Sequence, residues 1–379
     1  MKNFKNLLFL ILALFIFLNC STDGVEDSTA ISEQLEENPN AVTSENPEES
    51  GFYFPPLDSD TWETINPQEL NWNTAAEEQL YALLEEKGTM VFLILKDGKI
   101  ALEWYFDNHT VDTPWYWASA GKTLTAFTTG IAIEEGHLSL SDKTSAYLGQ
   151  GWTSTTANKE DLITVWHQLT MTSGLDETQG DCKTPDCLNF IADAGTRWSY
   201  HNAPYTLIQE VISNAVQSEF EDYFNVKLKN KIGMTGQWIS TNGLNNVYWS
   251  TGRSMARFGL LNLNNGVWGE TTVLGKKDFQ YDMKDSSQEL NESYGYLWWL
   301  NGKESSMVPN SQIKFSTELI PNAPDDLIAG LGKNDQKLYV VPSKNLVIVR
   351  MGDATGETAL GPSGFDNELW ERINALIGN

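Results

Sequence analysis

The chain has 379 residues, of which 25 are Lys or Arg and 51 are Asp or Glu, and its formal net charge is −26. This acidity argues against nucleic acid as a partner, because such binding depends on basic side chains that neutralise phosphates. The length is sufficient for one large domain or for two interleaved subdomains with a sizeable core.

The first 19 residues are predicted to be a signal peptide. Lys2 and Lys5 precede an apolar run from Leu7 to Leu18, which is shorter than the roughly 20 residues that span a bilayer. Cys20 follows this run directly, and that placement predicts lipoprotein processing, in which Cys20 is acylated and becomes the new N-terminus. Plain secretion with an incidental Cys20 is the alternative. We therefore expect an exported protein that a lipid on Cys20 anchors to the cell envelope, at the outer membrane, either periplasmic or surface-exposed.

Residues 20–50 are predicted to form an acidic, disordered tether. After Cys20, this stretch has nine Asp or Glu and no Lys or Arg, and it offers almost no apolar surface to bury. The folded domain is therefore expected over residues 51–379.

The two ends of that domain share a pattern of strands and helices. Apolar residues at helical spacing predict a helix at about 74–87, and two apolar runs around the turn at 96–98 predict a β-hairpin. Strands at about 336–341 and 345–351 repeat the hairpin pattern before a last helix at about 365–377.

The middle of the domain is predicted to be mostly helical. The candidate helices span about 119–135, 203–216, 219–230 and 252–264. An α+β fold follows from this distribution: N- and C-terminal strands form one antiparallel sheet flanked by helices, and a mostly helical subdomain at about 119–290 is inserted between them.

Ser119 and Lys122 are candidates for a nucleophile and its base. The predicted helix that follows them places Ser119 at a helix N-terminus and Lys122 on the same face. Serine needs a base within hydrogen-bond reach, and burial can lower the pKa of a lysine enough for it to take the proton. Free N–H groups at a helix N-terminus also suit an oxyanion. A second copy of the spacing, Ser311 and Lys314, has no helix after it and is interpreted as a chance match.

A Tyr-x-Asn pair, Tyr200 and Asn202, lies in a turn before another predicted helix, so both side chains can point into a cleft. Tyr200 would act as a general base if a neighbouring lysine stabilised its phenolate. Asn202 offers an amide that can orient the lysine and bind substrate. A second such pair, Tyr223 and Asn225, falls inside a predicted helix, where the two side chains diverge.

A third candidate segment, GLGKNDQ at 330–336, lies immediately before a predicted strand. Its glycines would let a substrate lie close to the backbone. Lys333 adds a positive charge suited to a substrate carboxylate or to the proton balance of the tyrosine.

In this order, the three motifs resemble those of the serine β-lactamase-like superfamily, in particular class C β-lactamases, D-peptidases and related esterases and amide hydrolases. The supporting segments are ITV at 163–165, HQLTMTSGL at 167–175, SMARFG at 254–259 and YGYLWW at 294–299. The resemblance spans roughly residues 75–375. It implies a β-lactamase/transpeptidase-like fold and acyl-serine chemistry, without a metal or cofactor, on a small-molecule or peptide substrate.

The resemblance also implies a role for each matching residue. By this correspondence Ser119 is the nucleophile, Lys122 and Tyr200 form the proton-transfer pair, and Asn202 and Lys333 position the substrate. The oxyanion would be bound by the backbone N–H groups of Ser119 and Gln336.

The third motif departs from the family pattern, because Asp335 stands in place of its usual glycine. We expect the Asp335 side chain to crowd the site and to repel a substrate carboxylate. That expectation favours an ester or amide hydrolase over a D-stereospecific peptidase or a β-lactamase. The non-enzyme alternative is an inactive, surface-anchored binding protein of the same fold, and the retention of both the SxxK and the YxN motifs argues against it.

Cys182 and Cys187 lie close together in a stretch typical of a loop. In an exported protein this spacing favours a short disulfide. Zinc is the less favoured alternative, because the four histidines of the chain have no ligand spacing.

Overall fold

A computed structural model of the chain describes residues 51–59, 61–241, 245–356 and 360–378. The predicted signal peptide, Cys20 and the acidic tether therefore lie outside the described residues. The described residues form one compact unit. Within the described ranges, no helix is both long enough and apolar enough to cross a membrane.

Eleven strands are assigned in the described part of the chain. They are β1 (Thr89–Lys96), β2 (Lys99–Tyr105), β3 (Trp115–Tyr116), β4 (Gln237–Thr241), β5 (Asn245–Ser250), β6 (Val267–Trp268), β7 (Thr271–Thr272), β8 (Trp299–Leu300), β9 (Ile328–Gly332), β10 (Gln336–Val341) and β11 (Leu346–Gly352). The main sheet is antiparallel and has the order β2-β1-β11-β10-β9-β8.

Ten α-helices are assigned in the same residues. They are α1 (Glu77–Glu86), α2 (Lys122–Glu134), α3 (Ser145–Leu148), α4 (Ala157–Glu160), α5 (Val165–Leu169), α6 (Asn202–Val216), α7 (Phe220–Lys227), α8 (Gly252–Leu263), α9 (Lys277–Met283) and α10 (Gly364–Ile377).

Strands from the two ends of the domain meet at the centre of the main sheet. β1 pairs with β11, with Leu93 opposite Val349, so the predicted sheet built from both termini is confirmed. β1 is an almost continuous apolar run because both of its faces are covered. On one face α8 packs so closely that a Cβ on Gly259 would lie 2.4 Å from the side chain of Val347. On the other face, α10 places Trp370 against Tyr339.

The segment predicted to be mostly helical also contains strands that the sequence analysis missed. β4 and β5 form a three-stranded sheet with β3, in the order β3-β5-β4. Trp238 of β4 and Tyr248 of β5 pack edge to face at 5.1 Å, so tertiary aromatic contacts stabilise this small sheet. β9 was also missed, since its five residues include two glycines and carry a weak strand signal.

Candidate active site

Ser119 lies in a short 3₁₀ turn, Ala118–Gly121, between β3 and α2. The predicted helix therefore begins at Lys122 rather than at Ser119. The backbone N–H of Trp117 donates to the carbonyl of Tyr248 at 2.8 Å, which ties the turn to the small sheet. Ala118 has φ of 47°, a left-handed conformation that is rare for a residue with a Cβ. Backbone strain of this kind is concentrated at functional sites, and here it directly precedes the serine.

Lys122 is the first residue of α2, and its side chain is 1% exposed. Burial lowers the pKa of its amine well below the usual value, and the negative charge of Asp181 offsets only part of that change. A lysine whose pKa is lowered in this way can hold a neutral amine, which is the form that accepts a proton.

The amine of Lys122 is at the centre of a group of side chains from three segments. It donates to Ser119 Oγ at 2.8 Å and to Asn202 Oδ1 at 2.7 Å. It also lies 4.0 Å from the ring centroid of Tyr205 and 4.9 Å from that of Tyr200. The structure thus brings together the residues of the predicted SxxK and YxN motifs, and α6 supplies Asn202 and Tyr205.

Asp181 is a member of this group that the sequence analysis did not identify. Its carboxylate accepts a hydrogen bond of 2.6 Å from Asn202 Nδ2. It directly precedes the predicted disulfide between Cys182 and Cys187, which the structure confirms with a Cα–Cα distance of 5.9 Å. The only sequence signal for Asp181 was its position beside Cys182, because no spacing relates it to Ser119 or Lys122.

Tyr200 contacts the group through its ring. The ring stacks on Trp299 with centroids 5.7 Å apart and an interplanar angle of 19°. Its hydroxyl is buried and has no well-formed hydrogen bond to any of the described residues. Burial raises the pKa of Tyr200, and the nearby hydroxyl of Ser119 offsets only part of the increase. The structure therefore favours a neutral phenol at this position over the phenolate base that the sequence analysis considered.

The third motif forms the hairpin turn between β9 and β10. Lys333 is exposed at the tip of this turn, outside the buried group around Lys122. Asn334 donates to the hydroxyl of Tyr116 at 2.7 Å, which attaches the turn to the strand that leads into Ser119. A Cβ on Gly332 would lie 2.3 Å from the carbonyl oxygen of Trp117, so the end of β9 runs directly beside the serine turn.

Gln336, which was assigned an oxyanion role by resemblance, is fully buried in β10 opposite Gly332. Its side-chain nitrogen donates to the carbonyls of Asn334 and Gly352, both at 2.7 Å. Its side chain thus braces the hairpin turn against β11. Two other third-motif residues lie beside the serine turn: a Cβ on Gly330 would lie 3.5 Å from the carbonyl oxygen of Ala120, and Gly332 approaches that of Trp117. The oxyanion role of the Gln336 N–H stays a prediction.

The expectation that Asp335 crowds the site is wrong. Its side chain is buried, and its carboxylate pairs with Lys337 at 3.1 Å and accepts from Ser363 at 2.6 Å and Thr355 at 2.8 Å. Burial alone would raise its pKa, but these partners lower the pKa to about 2. Ser363 is the N-cap of α10, so the carboxylate points to the α10 face of the sheet. The charge is thus engaged inside the protein, where Asp335 is 3% exposed.

The duplicate motifs have structural roles, as predicted. Lys314 lies in a loop and forms an ion pair with Glu292 at 3.0 Å. Tyr223 lies inside α7 and donates to Glu135 at 2.8 Å. Neither pair contributes to the group around Lys122.

The chain is similar to several known proteins. An uncharacterized protein of Alkalihalophilus pseudofirmus is 24% identical over 321 residues, which are 75% of this chain and 88% of that protein. A putative β-lactamase from Bacteroides dorei has a TM-score of 0.63 at 17% identity, over 81% of this chain and 99% of that one. A putative 6-aminohexanoate-dimer hydrolase from Bacillus anthracis has a TM-score of 0.60 at 20% identity, over 78% of this chain and 80% of that one.

These structural likenesses confirm the β-lactamase/transpeptidase-like fold, with its antiparallel sheet and flanking helices. The family model described as Beta-lactamase matches residues 81–368, which include Ser119, Lys122, Tyr200 and Asn202. Members of this family are serine hydrolases. This protein belongs to the β-lactamase family.

Proposed function

We propose that the protein is an exported serine hydrolase that cleaves an ester or amide bond through an acyl-serine intermediate. The observation that carries this proposal is the buried Lys122 amine, 2.8 Å from Ser119 Oγ and with a lowered pKa. A neutral amine at hydrogen-bond distance is the base that a serine hydroxyl requires to become a nucleophile.

In the first step, neutral Lys122 accepts the proton of Ser119 while Oγ attacks the substrate carbonyl. The developing oxyanion is bound by backbone N–H groups, one from Ser119 and one from the end of β9 at Gly332. The end of β9 is proposed over Gln336 because both Gly330 and Gly332 lie against the turn that carries Ser119. The C–O or C–N bond to the leaving group then breaks, and the acyl group remains on Ser119.

The leaving group departs with a proton that Lys122 took from Ser119. Tyr200, held as a neutral phenol, relays this proton: it gives its own hydroxyl proton to the leaving group and takes the proton of the Lys122 ammonium in exchange. In the second step Lys122 accepts a proton from water, the resulting hydroxide equivalent attacks the acyl carbon, and Ser119 Oγ is released with that proton. Asn202 holds the amine in place throughout.

The proposed substrate class rests on the third motif. Lys333 is exposed at a hairpin tip, so it does not place a positive charge for a substrate carboxylate beside the nucleophile. The Asp335 carboxylate accepts a hydrogen bond from Ser363 at the start of α10, so it does not place a negative charge there either. This arrangement favours a neutral ester or amide. Cell-wall D-peptides and β-lactams remain the alternative substrates, and one structural neighbour is itself named a putative β-lactamase.

Fluorophosphonate labelling of the mature protein tests the nucleophile. We expect labelling of the wild type and of Ser311→Ala, which removes the serine of the duplicate motif, and no labelling of Ser119→Ala. Equal labelling of wild type and Ser119→Ala would contradict the assignment. Absence of labelling and turnover in all three would instead favour the inactive binding protein.

A substrate panel distinguishes the alternatives. Purified protein is assayed against p-nitrophenyl esters of increasing chain length, nitrocefin and D-Ala-D-Ala peptides. We expect Ser119-dependent turnover of the esters with a kcat/KM well above that for nitrocefin or the peptides. The reverse order would identify a β-lactamase or a D-peptidase.

The proposed location at the cell envelope rests on the apolar run before Cys20. Mass spectrometry of the membrane-extracted protein is expected to find an acylated N-terminal cysteine. Cys20→Ala should release the protein from the membrane fraction, and membrane retention of that variant would contradict lipid anchoring.

A further inference from the structure

A cavity of about 920 Å³ lies at the end of β9 that is remote from Ser119. Ile328, the first residue of β9, lines it, whereas Gly332 at the other end of the strand borders the serine turn. At about 3.3 Å per residue, the two ends of β9 are roughly 13 Å apart. Neither Ser119 nor Lys122 lines the cavity, and its volume is in the range of small-molecule binding sites.

The inner wall of the cavity is apolar. Leu274, Leu300, Leu327 and Ile328 line it, and each of these side chains is almost completely buried within the protein. Tyr281 stands at the rim with its side chain exposed to solvent. The apolar surface that remains open to a ligand belongs to half-buried Val267 and to exposed Tyr281 and Pro342, which also line the cavity.

Lys284 places an amine at the same cavity. Its Nζ donates to the side-chain oxygen of Asn265 at 2.8 Å and to the backbone carbonyl of Asn262 at 3.2 Å. Both acceptors are neutral, and an ammonium has three hydrogens, so these contacts leave one donor. Burial lowers the pKa of Lys284 to about 8, a value at which the amine is still mostly protonated at neutral pH.

The carboxylates around the cavity already have partners or lie in solvent. Asp285 forms an ion pair with Lys303 at 2.6 Å, and Asp326 accepts a hydrogen bond from the hydroxyl of Ser343 at 2.8 Å. Asp325 is exposed at the rim. Lys284 therefore places a cationic group beside an apolar wall, in a chain whose net charge is −26. Its two hydrogen-bond acceptors, on Asn262 and Asn265, are neutral.

We propose that this cavity is a second binding site, separate from Ser119, for a small amphipathic carboxylate. The carboxylate accepts a charge-assisted hydrogen bond from Lys284, and the apolar body of the ligand packs against Val267, Tyr281 and Pro342. A purely apolar ligand would leave the ammonium without an anionic partner, and a cationic ligand would be repelled by it. The proposal does not depend on the hydrolase activity.

Calorimetric titration with three eight-carbon probes tests the proposal: octanoate, octanol and octylammonium. We expect saturable binding of octanoate to the wild type, with an affinity about tenfold or more above those of octanol and octylammonium. Absence of saturable octanoate binding, or equal binding of octanoate and octylammonium, would overturn the proposal.

Two variants and a matched control place the site. Lys284→Met should weaken octanoate binding about tenfold and leave octanol binding unchanged, whereas Lys277→Met, at an exposed lining position, should change neither. Thr272→Trp adds bulk at another exposed lining position and should block all binding, so the test stands even where Lys284→Met fails to fold. Octanoate binding that survives in Thr272→Trp would refute the location, and unchanged affinity in a folded Lys284→Met would refute the role of the amine.

Discussion

The carboxylate of Asp181 accepts a hydrogen bond of 2.6 Å from Nδ2 of Asn202, and this contact determines which end of the Asn202 amide faces Lys122. With Nδ2 held by Asp181, Oδ1 is the atom that accepts from the Lys122 amine at 2.7 Å. A rotated amide would present a donor to a donor. Asp181 is therefore a positioning residue, and the adjacent disulfide from Cys182 restrains the loop that carries it.

Replacing Asp181 is expected to change the pH profile as well as the rate. In the wild type, the negative charge of Asp181 raises the pKa of Lys122. Asp181→Asn keeps a hydrogen-bond acceptor but removes that charge. Without that charge the pKa of Lys122 falls further, and the neutral amine persists to lower pH. The acidic limb of kcat/KM should therefore shift to lower pH, with a loss of about tenfold at the optimum from the weakened amide contact.

Asp186 offers a matched control for this measurement. It lies in the same disulfide loop and is exposed to solvent. Asp186→Asn should leave both the rate and the acidic limb where they are in the wild type. A limb that moves equally in both variants would show a general charge effect of the loop instead of a specific action through Asn202.

Removing the hydroxyl of Tyr200 should reduce the rate without destabilising the protein. Tyr200→Phe keeps the ring that stacks on Trp299. It removes a buried hydroxyl that has no well-formed hydrogen bond to the described residues. We expect kcat to fall about a hundredfold and the melting temperature to stay level or rise. Tyr223→Phe, in the duplicate Tyr-x-Asn pair, should leave kcat unchanged but lose its hydrogen bond to Glu135. An unaltered kcat in Tyr200→Phe would remove Tyr200 from the proton route.

Lys122→Met is expected to separate activity from stability. Folding lowers the pKa of Lys122 below 10.5, so at lower pH the unfolded chain binds more protons than the folded chain. The free energy of unfolding of the wild type therefore decreases as the pH falls from 10.5 toward the folded pKa. Lys122→Met should lose about a thousandfold in kcat/KM and show a weaker pH dependence of unfolding in this range.

Denaturant unfolding measured across that pH range checks the stability part of this prediction. Lys333→Met serves as the control, because Lys333 is exposed at a hairpin tip and its replacement should leave the pH dependence unchanged. Identical pH dependence in wild type and Lys122→Met would contradict a lowered pKa at Lys122.

Asp335→Asn should affect stability and leave the active site intact. The Asp335 carboxylate is one of two buried partners of Lys337, which keeps its ion pair with Asp366 at 2.7 Å, so we expect the loss of this charged acceptor to cost about 2 kcal/mol. Folding lowers the pKa of Asp335 from 3.8 to about 2, so its contribution to stability is present above that range and is lost as the pH falls through it. We expect kcat/KM per folded molecule to match the wild type. A large change in KM with unchanged stability would contradict this prediction and would indicate that Asp335 contacts the substrate.

Much of the fold could be predicted because apolar runs and helical periodicity in the sequence indicate its strands and helices. The continuous apolar run of β1 and the repeated hairpin pattern of β10 and β11 indicated a sheet shared by both termini, and the periodic helices α2, α6 and α8 were predicted to within a few residues. β9 was not predicted, because two of its five residues are glycines and its pairing with β10 and β8 is a long-range property of the sheet.

The sequence by itself determined the order and types of the reactive residues: Ser119, Lys122, Tyr200 and Asn202 were identified from spacing and resemblance before any geometry was known. Only the tertiary structure decided what those residues and their neighbours do. Burial, which depends on every packed segment at once, lowers the pKa of Lys122 and raises that of Tyr200.

Side-chain direction was likewise beyond the sequence. A positive φ in the hairpin turn of the third motif directs the Asp335 carboxylate to α10, although the sequence suggested that it faced the substrate. The disulfide loop brings Asp181 against Asn202, although 21 positions separate them in the chain. Both outcomes depend on contacts between segments far apart in sequence, which no local pattern encodes.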